Sequence, residues 1–282
     1  MTSSKQATVS GRGLGGELRL LRQDRGKTGV EVATVLGWQP SKLSRIETGQ
    51  QGISVADTAS ILVIYSVIGQ ERDRLLKMAE RSGQEGWWDS HTSLSKESKT
   101  LIQLESDATA IFTFHPLLVP GLLQTPDYIR AVMEACRISK QDIDARVAAR
   151  MGRQMILSRH NPPGFEVIVD EMVLRRVLGD PKIMVRQLRH LIESTERANF
   201  SLRVLPLSLG GHPGLDGSFH FLDFEKAKPV VYLDHKISGL FLEESSEVAF
   251  YRGEMDKLRQ VALNSSESID LVASVAQEHD QE

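Results

Sequence analysis

The stretch from Gly26 to Gly49 carries two helix starts and one helix stop at a spacing that few folds accept. Thr28 and Glu31 form a capping box, in which the threonine hydroxyl accepts from the third amide while the glutamate reaches back to the threonine amide. A helix therefore begins at Gly29. It is short, Val30 to Leu36, because Gly37 can take the left-handed conformation that closes a helix without steric cost. Gln39-Pro40 restarts the chain, since proline suits a first helical position where no amide donor is needed, and a further helix runs from Pro40 to Thr48. Two helices joined by so tight a turn need a small residue where they cross, a glycine in the turn and apolar residues that seat the second on the first. Ala33, Gly37, Leu43 and Ile46 fill those places, supported by Val32 and Leu36, so this is a helix-turn-helix.

Its neighbours complete an all-helical domain. Leu14, Leu18 and Leu21 lie on one face of a first helix that Gly26 ends. Ser54 caps a fourth helix, with Ala56, Ala59, Ile61, Leu62 and Tyr65 as apolar positions and Gly69 closing it; a fifth, Glu71 to Arg81, adds Leu75, Leu76 and Ala79. At about 100° per residue, Leu43, Ile46 and Glu47 share one side of the third helix, while Ser41, Ser44, Arg45 and Thr48 point away and Lys42 sits at the flank. That outward set would strand hydroxyls and a guanidinium if packed against protein, whereas the DNA major groove supplies partners for them. The expected DNA-binding residues are Thr28, Gln39, Ser41, Lys42, Ser44, Arg45 and Thr48. Arg45 is the first choice for reading a base, and the amides at the Thr28 helix start are a candidate phosphate anchor. Glu47 would repel phosphate, so it is expected to pair with Arg22 or Arg19 and lock the third helix in place. The plainer reading is a helical hairpin within a larger core.

Charge agrees with the first reading. Residues 1–83 hold 12 Lys and Arg against 8 Asp and Glu, whereas the remainder holds 22 against 29, so a basic module is joined to an acidic one. The Ser, Thr and Gly content of Met1 to Gly16 suggests a mobile arm, set at residues 1–11, ahead of a DNA-binding domain over 12–83. Residues 84–98 read as a linker, with Trp87-Trp88 expected to dock on a domain. Residues 99–282 alternate strand-like runs (Thr109 to Phe114, Glu166 to Val169, Leu202 to Leu205, Ser218 to Phe224, Val230 to Leu233) with helical ones. The helical runs are Pro126 to Cys136, Gln141 to Arg159, Lys182 to Arg197, Ser246 to Ala262 and Ser266 to Ala276. The expected fold class is thus a five-helix helix-turn-helix domain followed by a mixed α+β domain. One cysteine, Cys136, allows no internal disulfide, and no apolar run approaches the roughly 20 residues of a membrane span, so a cytoplasmic, nucleoid-associated protein is expected.

Leu18-Arg19-Leu20-Leu21-Arg22, Val32-Ala33-Thr34-Val35-Leu36-Gly37-Trp38 and Ser41-Lys42-Leu43-Ser44-Arg45-Ile46-Glu47-Thr48-Gly49 resemble the Cro/C1-type, or xenobiotic-response-element, regulators. In the second domain, Leu104-Glu105, Val119-Pro120-Gly121-Leu122-Leu123-Gln124-Thr125-Pro126-Asp127-Tyr128, Val169-Asp170-Glu171, Leu174-Arg175-Arg176 and Gly214-Leu215-Asp216-Gly217-Ser218-Phe219 resemble WhiJ-like regulators of Streptomyces and related actinomycetes. The resemblance implies transcriptional regulation, often repression, with some members working beside small acidic companion proteins encoded nearby, and it implies no enzymatic activity. This chain has Gln39-Pro40 where a serine commonly follows the turn tryptophan, and Glu47-Thr48-Gly49 in place of an Arg-x-Gly ending.

Weaker signals have plainer explanations. Gly11, Gly13 and Gly16 satisfy G-x-G-x-x-G, but no strand precedes them, so nucleotide binding is not expected. The eight histidines show no H-x-x-x-H or H-E-x-x-H pairing, and neither metal nor cofactor is expected. His212, Asp216 and Ser218 share a glycine-rich loop but lack a G-x-S-x-G elbow, so a turn feeding a strand is preferred to hydrolysis. Pro120, Gly121, Asp170, Glu171, His212 and Asp216 are candidates for an effector or partner surface. The run Arg146, Arg150, Arg153 and Arg159 reads as a solvated helix face. The expected protein is a homodimer on a double-stranded operator, with a second domain that senses a ligand or partner; the rival is an antitoxin-like or scaffold protein whose main task is binding a small companion.

Overall fold

The computed structural model describes residues 9–48, 51–83, 94–235 and 238–281, which form two compact units parting near Ser90. The tryptophan pair at 87 and 88 lies outside the described residues.

The N-terminal unit is five helices: α1 (Val9–Asp24), α2 (Gly29–Val35), α3 (Pro40–Glu47), α4 (Val55–Ile64) and α5 (Gly69–Gly83). Leu14, Leu18, Val32, Ala33, Leu43, Ile46, Ile61, Leu62, Tyr65 and Leu75 close into one core. Two expectations need correction. Helix α1 starts at Val9, inside the stretch read as an arm, and at least one glycine there serves packing and not mobility: a Cβ on Gly15 would lie 2.1 Å from the Ile46 carbonyl oxygen. Only glycine lets α1 approach the α3 backbone so closely. Helix α4 is closed not by Gly69 but by Ser66, whose φ of 56° turns the chain, and Gly69 opens α5.

The C-terminal unit comprises α6 (Lys96–Asp107), β1 (Ala110–His115), α7 (Pro126–Ala135), α8 (Lys140–Gln154), β2 (Gly164–Asp170), α9 (Glu171–Arg175), α10 (Pro181–Ser194), β3 (Phe200–Leu205), β4 (Phe219–Asp223), β5 (Val230–Asp234), β6 (Gly239–Leu242), α11 (Ser245–Val261) and α12 (Ser265–Gln281). The strands make one sheet in the order β3-β2-β1-β4-β5-β6; β1, β2 and β3 are parallel, and β4, β5 and β6 run antiparallel. The fold is therefore an all-helical domain followed by a mixed α+β domain. Helix α6 begins at Lys96, within the stretch read as linker, capped by the Ser95 hydroxyl. The helix expected over Gln141 to Arg159 stops at Gln154 and tightens into a 3-10 turn over Met155–Ser158. Strand β6 had no counterpart among the expected elements. Its Gly239 lies against the Tyr232 ring, where a Cβ would come within 2.4 Å.

Strand alternation gives the sheet two unlike faces. On one, Phe112, Phe114, Ile168, Phe219, Phe221 and Val231 pack with Val248, Met255 and Leu258 of α11. On the other, the cross-strand row Thr113, His220 and Tyr232 runs over β1, β4 and β5, with His115 two residues beyond Thr113. A buried sheet face this polar is unusual, and each group on it calls for a partner.

Candidate nucleic-acid interface

Local chemistry builds α2 and α3 much as their spacing implies. The Thr28 hydroxyl accepts from Glu31 N at 3.2 Å, and Thr28 N donates to Glu31 Oε2 at 2.7 Å, which closes the capping box. Gly37 takes a φ of 68°, and Trp38 N donates to Ala33 O at 2.8 Å across the turn. Pro40 occupies the first turn of α3 behind Gln39, whose exposed side chain makes no capping bond. Leu43, Ile46 and Glu47 are buried; Ser41, Ser44, Arg45 and Thr48 are exposed. Eight helical residues span about 12 Å, the width of a DNA major groove.

One ion pair holds this face in position. Arg22 of α1 grips Glu47 in a fork, Nε to Oε1 at 2.7 Å and Nη2 to Oε2 at 2.8 Å, while its Nη1 donates to Lys27 O at 2.8 Å. A single guanidinium thus ties α1, the turn before α2 and the end of α3 together, and the bond it donates to Glu47 raises the Arg22 pKa. Of the two partners expected for Glu47, Arg22 is the one used.

The other expected residues are placed as follows. Arg45 Nε donates to Gln51 Oε1 at 3.1 Å, which steadies the side chain from its inner edge. Lys42 is half-buried: its Nζ lies 3.7 Å from the Trp38 ring centroid and 3.1 Å from Asp57 Oδ2, so it fastens α3 to the turn and to α4. The Thr48 hydroxyl donates to Ser44 O at 2.8 Å, satisfying the end of the helix. Thr28 is engaged in its cap. The sequence signal for these structural duties lay in the aromatic Trp38 four residues before Lys42, and in Asp57 in the first turn of α4.

In the second unit the candidate effector residues divide into two groups. Asp170 caps α9 through Met172 N at 2.7 Å and meets His212 Nε2 at 3.2 Å. His212 Nδ1 accepts from Gly214 N at 3.2 Å, so both ring nitrogens are committed and the Nε2–H tautomer satisfies both bonds. Glu171 is buried between Arg175 Nε at 2.6 Å and Leu207 N at 2.8 Å. Asp216 is exposed on the loop after His212. Pro120 and Gly121 belong elsewhere, to a segment clamped by amide side chains. Gln154 Nε2 donates to Gly121 O and Gln124 O at 3.0 and 2.8 Å, Gln187 bonds Leu123 O and Thr125 N at 2.7 Å each, and Gln124 Nε2 donates to Val119 O at 2.6 Å. These bonds satisfy the Pro-Gly-Leu-Leu-Gln-Thr run, because an irregular buried segment leaves carbonyls that only placed donors can match.

The expected solvated arginine face is overturned for the arginines within α8. Arg153 forks onto fully buried Glu105 of α6, Arg150 Nη1 donates to Gln124 Oε1 at 2.7 Å, and Arg159 donates to Asn161 O at 2.7 Å and Ala108 O at 3.2 Å. Helix α8 turns Arg146, Arg150 and Arg153 inward because they share a stripe with Ile143 and Val147, leaving Asp144, Ala145 and Ala148 outside, whereas Arg159 lies beyond the helix and is exposed.

A family model described as a domain of unknown function, DUF5753, matches residues 98–274, more than half of the chain. The chain belongs to this family. A helix-turn-helix domain model matches residues 14–75, the span of α1 through the middle of α5, so this DUF5753 protein is a DNA-binding regulator with a helix-turn-helix at its N-terminal end. No curated protein and no solved structure matches the chain. Among the described residues no helix is long and apolar enough to cross a membrane, and no group of three His, Cys, Asp or Glu side chains could hold a metal ion.

Proposed function

We propose that the protein is a dimeric, operator-specific transcription regulator, a repressor of the WhiJ-like kind, that sets α3 in the major groove and whose DUF5753 domain senses a ligand or partner. The observation that carries this is the division of α3 into two sides. Leu43, Ile46 and Glu47 are consumed by the fold, while Ser41, Ser44, Arg45 and Thr48 face solvent without a large apolar residue among them. Arg45 is the base reader, since its guanidinium is tethered at Nε and presents both terminal nitrogens, the geometry for a two-bond contact to guanine. Gln39 and Ser41, at the N-terminal end of α3, reach the groove or its phosphates, and Lys42 orients the helix. One module covers few base pairs, so two modules about 34 Å apart are needed for useful specificity.

Genomic footprinting with the full chain, parent against Arg45→Ala, tests this. The parent protects two-fold sites, and the variant loses about 1 to 3 kcal/mol of affinity and relaxes its preference at one base position. Unchanged sequence preference in the variant removes Arg45 from the reading role; absence of protected sites removes the operator-binding reading, and a small companion that co-purifies at fixed stoichiometry then favours the antitoxin-like alternative.

A further inference from the structure

The inward face of α8 holds more positive charge than its surroundings answer. Arg153 is paired with Glu105, and this pair is complete: both carboxylate oxygens of Glu105 receive a guanidinium nitrogen. Arg150 lies one turn earlier. Its partner among the described residues is the neutral oxygen of Gln124, one bond for a group with five donors. Arg146 lies a further turn back, and its Nε is shut off from solvent without a hydrogen-bond partner among the described residues. The carboxylate whose charge acts on Arg150 is that of Asp234, which is itself exposed and accepts from the Tyr232 hydroxyl at 3.1 Å. Burial and the two neighbouring guanidiniums pull the Arg150 pKa down to about 10.

The sheet beneath does not neutralise this charge. His115 and His220 stack edge to face at 5.1 Å between centroids, and burial holds both in the neutral form, with Arg153 adding to the effect. His220 Nδ1 is matched with the Thr113 hydroxyl at 3.2 Å, whereas His115 Nε2 is buried and has no partner among the described residues. A neutral imidazole nitrogen and a guanidinium Nε, both sequestered and both unmatched, flank the Arg150–Arg153 pair. Leaving such groups unmade costs more than any single neutral hydrogen bond returns, so a ligand that completes them gains that cost back.

We propose that Arg146 and Arg150, with Arg153 and His115 behind them, form a binding site for a small anionic ligand that carries a carboxylate or phosphate group. Guanidiniums three and four residues apart on one helix face converge on a single oxyanion and offer it paired N–H donors. The site takes a small molecule and not a nucleic acid or an acidic protein surface, because α8 presents Asp142, Asp144 and Ala148 to solvent and keeps its arginines on the packed side. Gly121 forms part of the wall: a Cβ there would lie 3.5 Å from Arg153 Nη1 and 4.0 Å from Arg150 Nε. Of the effector candidates, Pro120 and Gly121 thus adjoin the site, while Asp170 is bonded to His212, and Glu171 to Arg175 and Leu207 N, elsewhere. The ligand class deepens the sensing role proposed above, and rests on that reading for its purpose but not for its chemistry.

Scanning calorimetry of the full chain, without DNA, tests the site with inorganic phosphate and malonate as probes. At about 10 mM, one of them raises the melting temperature of the second unit by about 3 °C or more over sodium chloride of equal ionic strength. A larger rise with phosphate assigns a phosphoryl ligand; a larger rise with malonate assigns a carboxylate. Arg146→Gln and Arg150→Gln each remove at least half of that rise. Arg146→Gln deletes a buried donor that has no partner, so its melting temperature in chloride stays at or above that of the parent, and it decides alone where Arg150→Gln lowers the chloride value. No rise over chloride with either probe, or a rise that Arg146→Gln keeps in full, overturns the proposal. Because no DNA is present, failure here leaves the operator-binding reading standing, and failure to find an operator leaves this one standing.

Discussion

Helices α3 and α8 look alike in sequence, each a short amphipathic segment whose basic residues recur at helical spacing, yet the fold uses them in opposite ways. In α3 the apolar stripe is complete without the cation: Leu43 and Ile46 fill the core, Glu47 finds Arg22, and Arg45 is left on the outer side. In α8 the apolar stripe is incomplete, because Arg146, Arg150 and Arg153 occupy places in line with Ile143 and Val147 that a core helix would give to leucine. The difference teaches that a run of basic residues indicates a nucleic-acid face only where the opposite face can close by itself. Where it cannot, the guanidiniums go inward and must be matched there.

The contrast can be broken at its two buried ion pairs. Glu105→Ala removes the partner of Arg153 and leaves three inward guanidiniums together, so the second unit should lose about 3 to 5 kcal/mol of stability, measured by urea denaturation. Glu47→Ala should cost the first unit a comparable amount, with DNA affinity falling because α3 is no longer held. If Glu105→Ala costs no more than a surface substitution, about 0.5 kcal/mol, α8 is solvated and the contrast fails.

Acid gives a second and smaller handle. Burial takes the His115 pKa down to about 4 and that of His220 well below its ordinary value. A histidine with a depressed folded pKa binds its proton more readily when unfolded, so its contribution is whole above about pH 6.5 and is lost as pH falls toward 4. The second unit should weaken over that window, and His115→Asn, which carries no titrating proton, should lose about 2 kcal/mol less between pH 6.5 and 4.5 than the parent. Equal losses in both chains would place His115 in contact with water.

How far the sequence reveals all this differs between the units for a physical reason. Caps and turns are local chemistry, so Thr28 with Glu31, Gly37 and Pro40 announce α2 and α3 within a residue of where they stand, and Ser54, Thr125 and Pro126 do the same for α4 and α7. The Glu47 to Arg22 pair was legible because a carboxylate on the core side of a DNA-facing helix needs a cation. Gly15 was not: its value lies in the approach of a carbonyl from a segment thirty residues away, and by composition alone it reads as flexibility. The arginines of α8 carry a usable signal in their register with Ile143 and Val147, and helical phase there outweighs charge. Among the described residues strand β6 pairs only with β5, and at four residues it is too short for alternation to show.

On the outer face of α3 the effects turn from stability to recognition. Arg45 is exposed and, among the described residues, its side chain is tethered only to Gln51, so Arg45→Ala should change the unfolding free energy by less than about 0.5 kcal/mol while weakening operator binding by about 1 to 3 kcal/mol, seen by gel shift at fixed salt. That ratio is the reverse of the one expected for Glu105→Ala. A variant that loses stability and affinity in step would make Arg45 part of the packing and bring α3 closer to α8.

The smallest effect decides what the start of α2 does. As a phosphate anchor, Thr28 would contribute to affinity in a salt-dependent way, and its loss would flatten the plot of log affinity against log salt by about one. The structure occupies it otherwise: its hydroxyl and amide are both bonded to Glu31, and the Glu31 carboxylate, held below its usual pKa by the Thr28 bonds, sits where a phosphate would have to come. Thr28→Ala should therefore lower the stability of the first unit by about 1 kcal/mol, Thr28→Ser should restore most of it, and the salt slope of operator binding should be unchanged in both. A flatter slope in Thr28→Ala with stability intact would return this helix start to the DNA-contacting surface, and would mean that a box built to close a helix opens when the operator arrives.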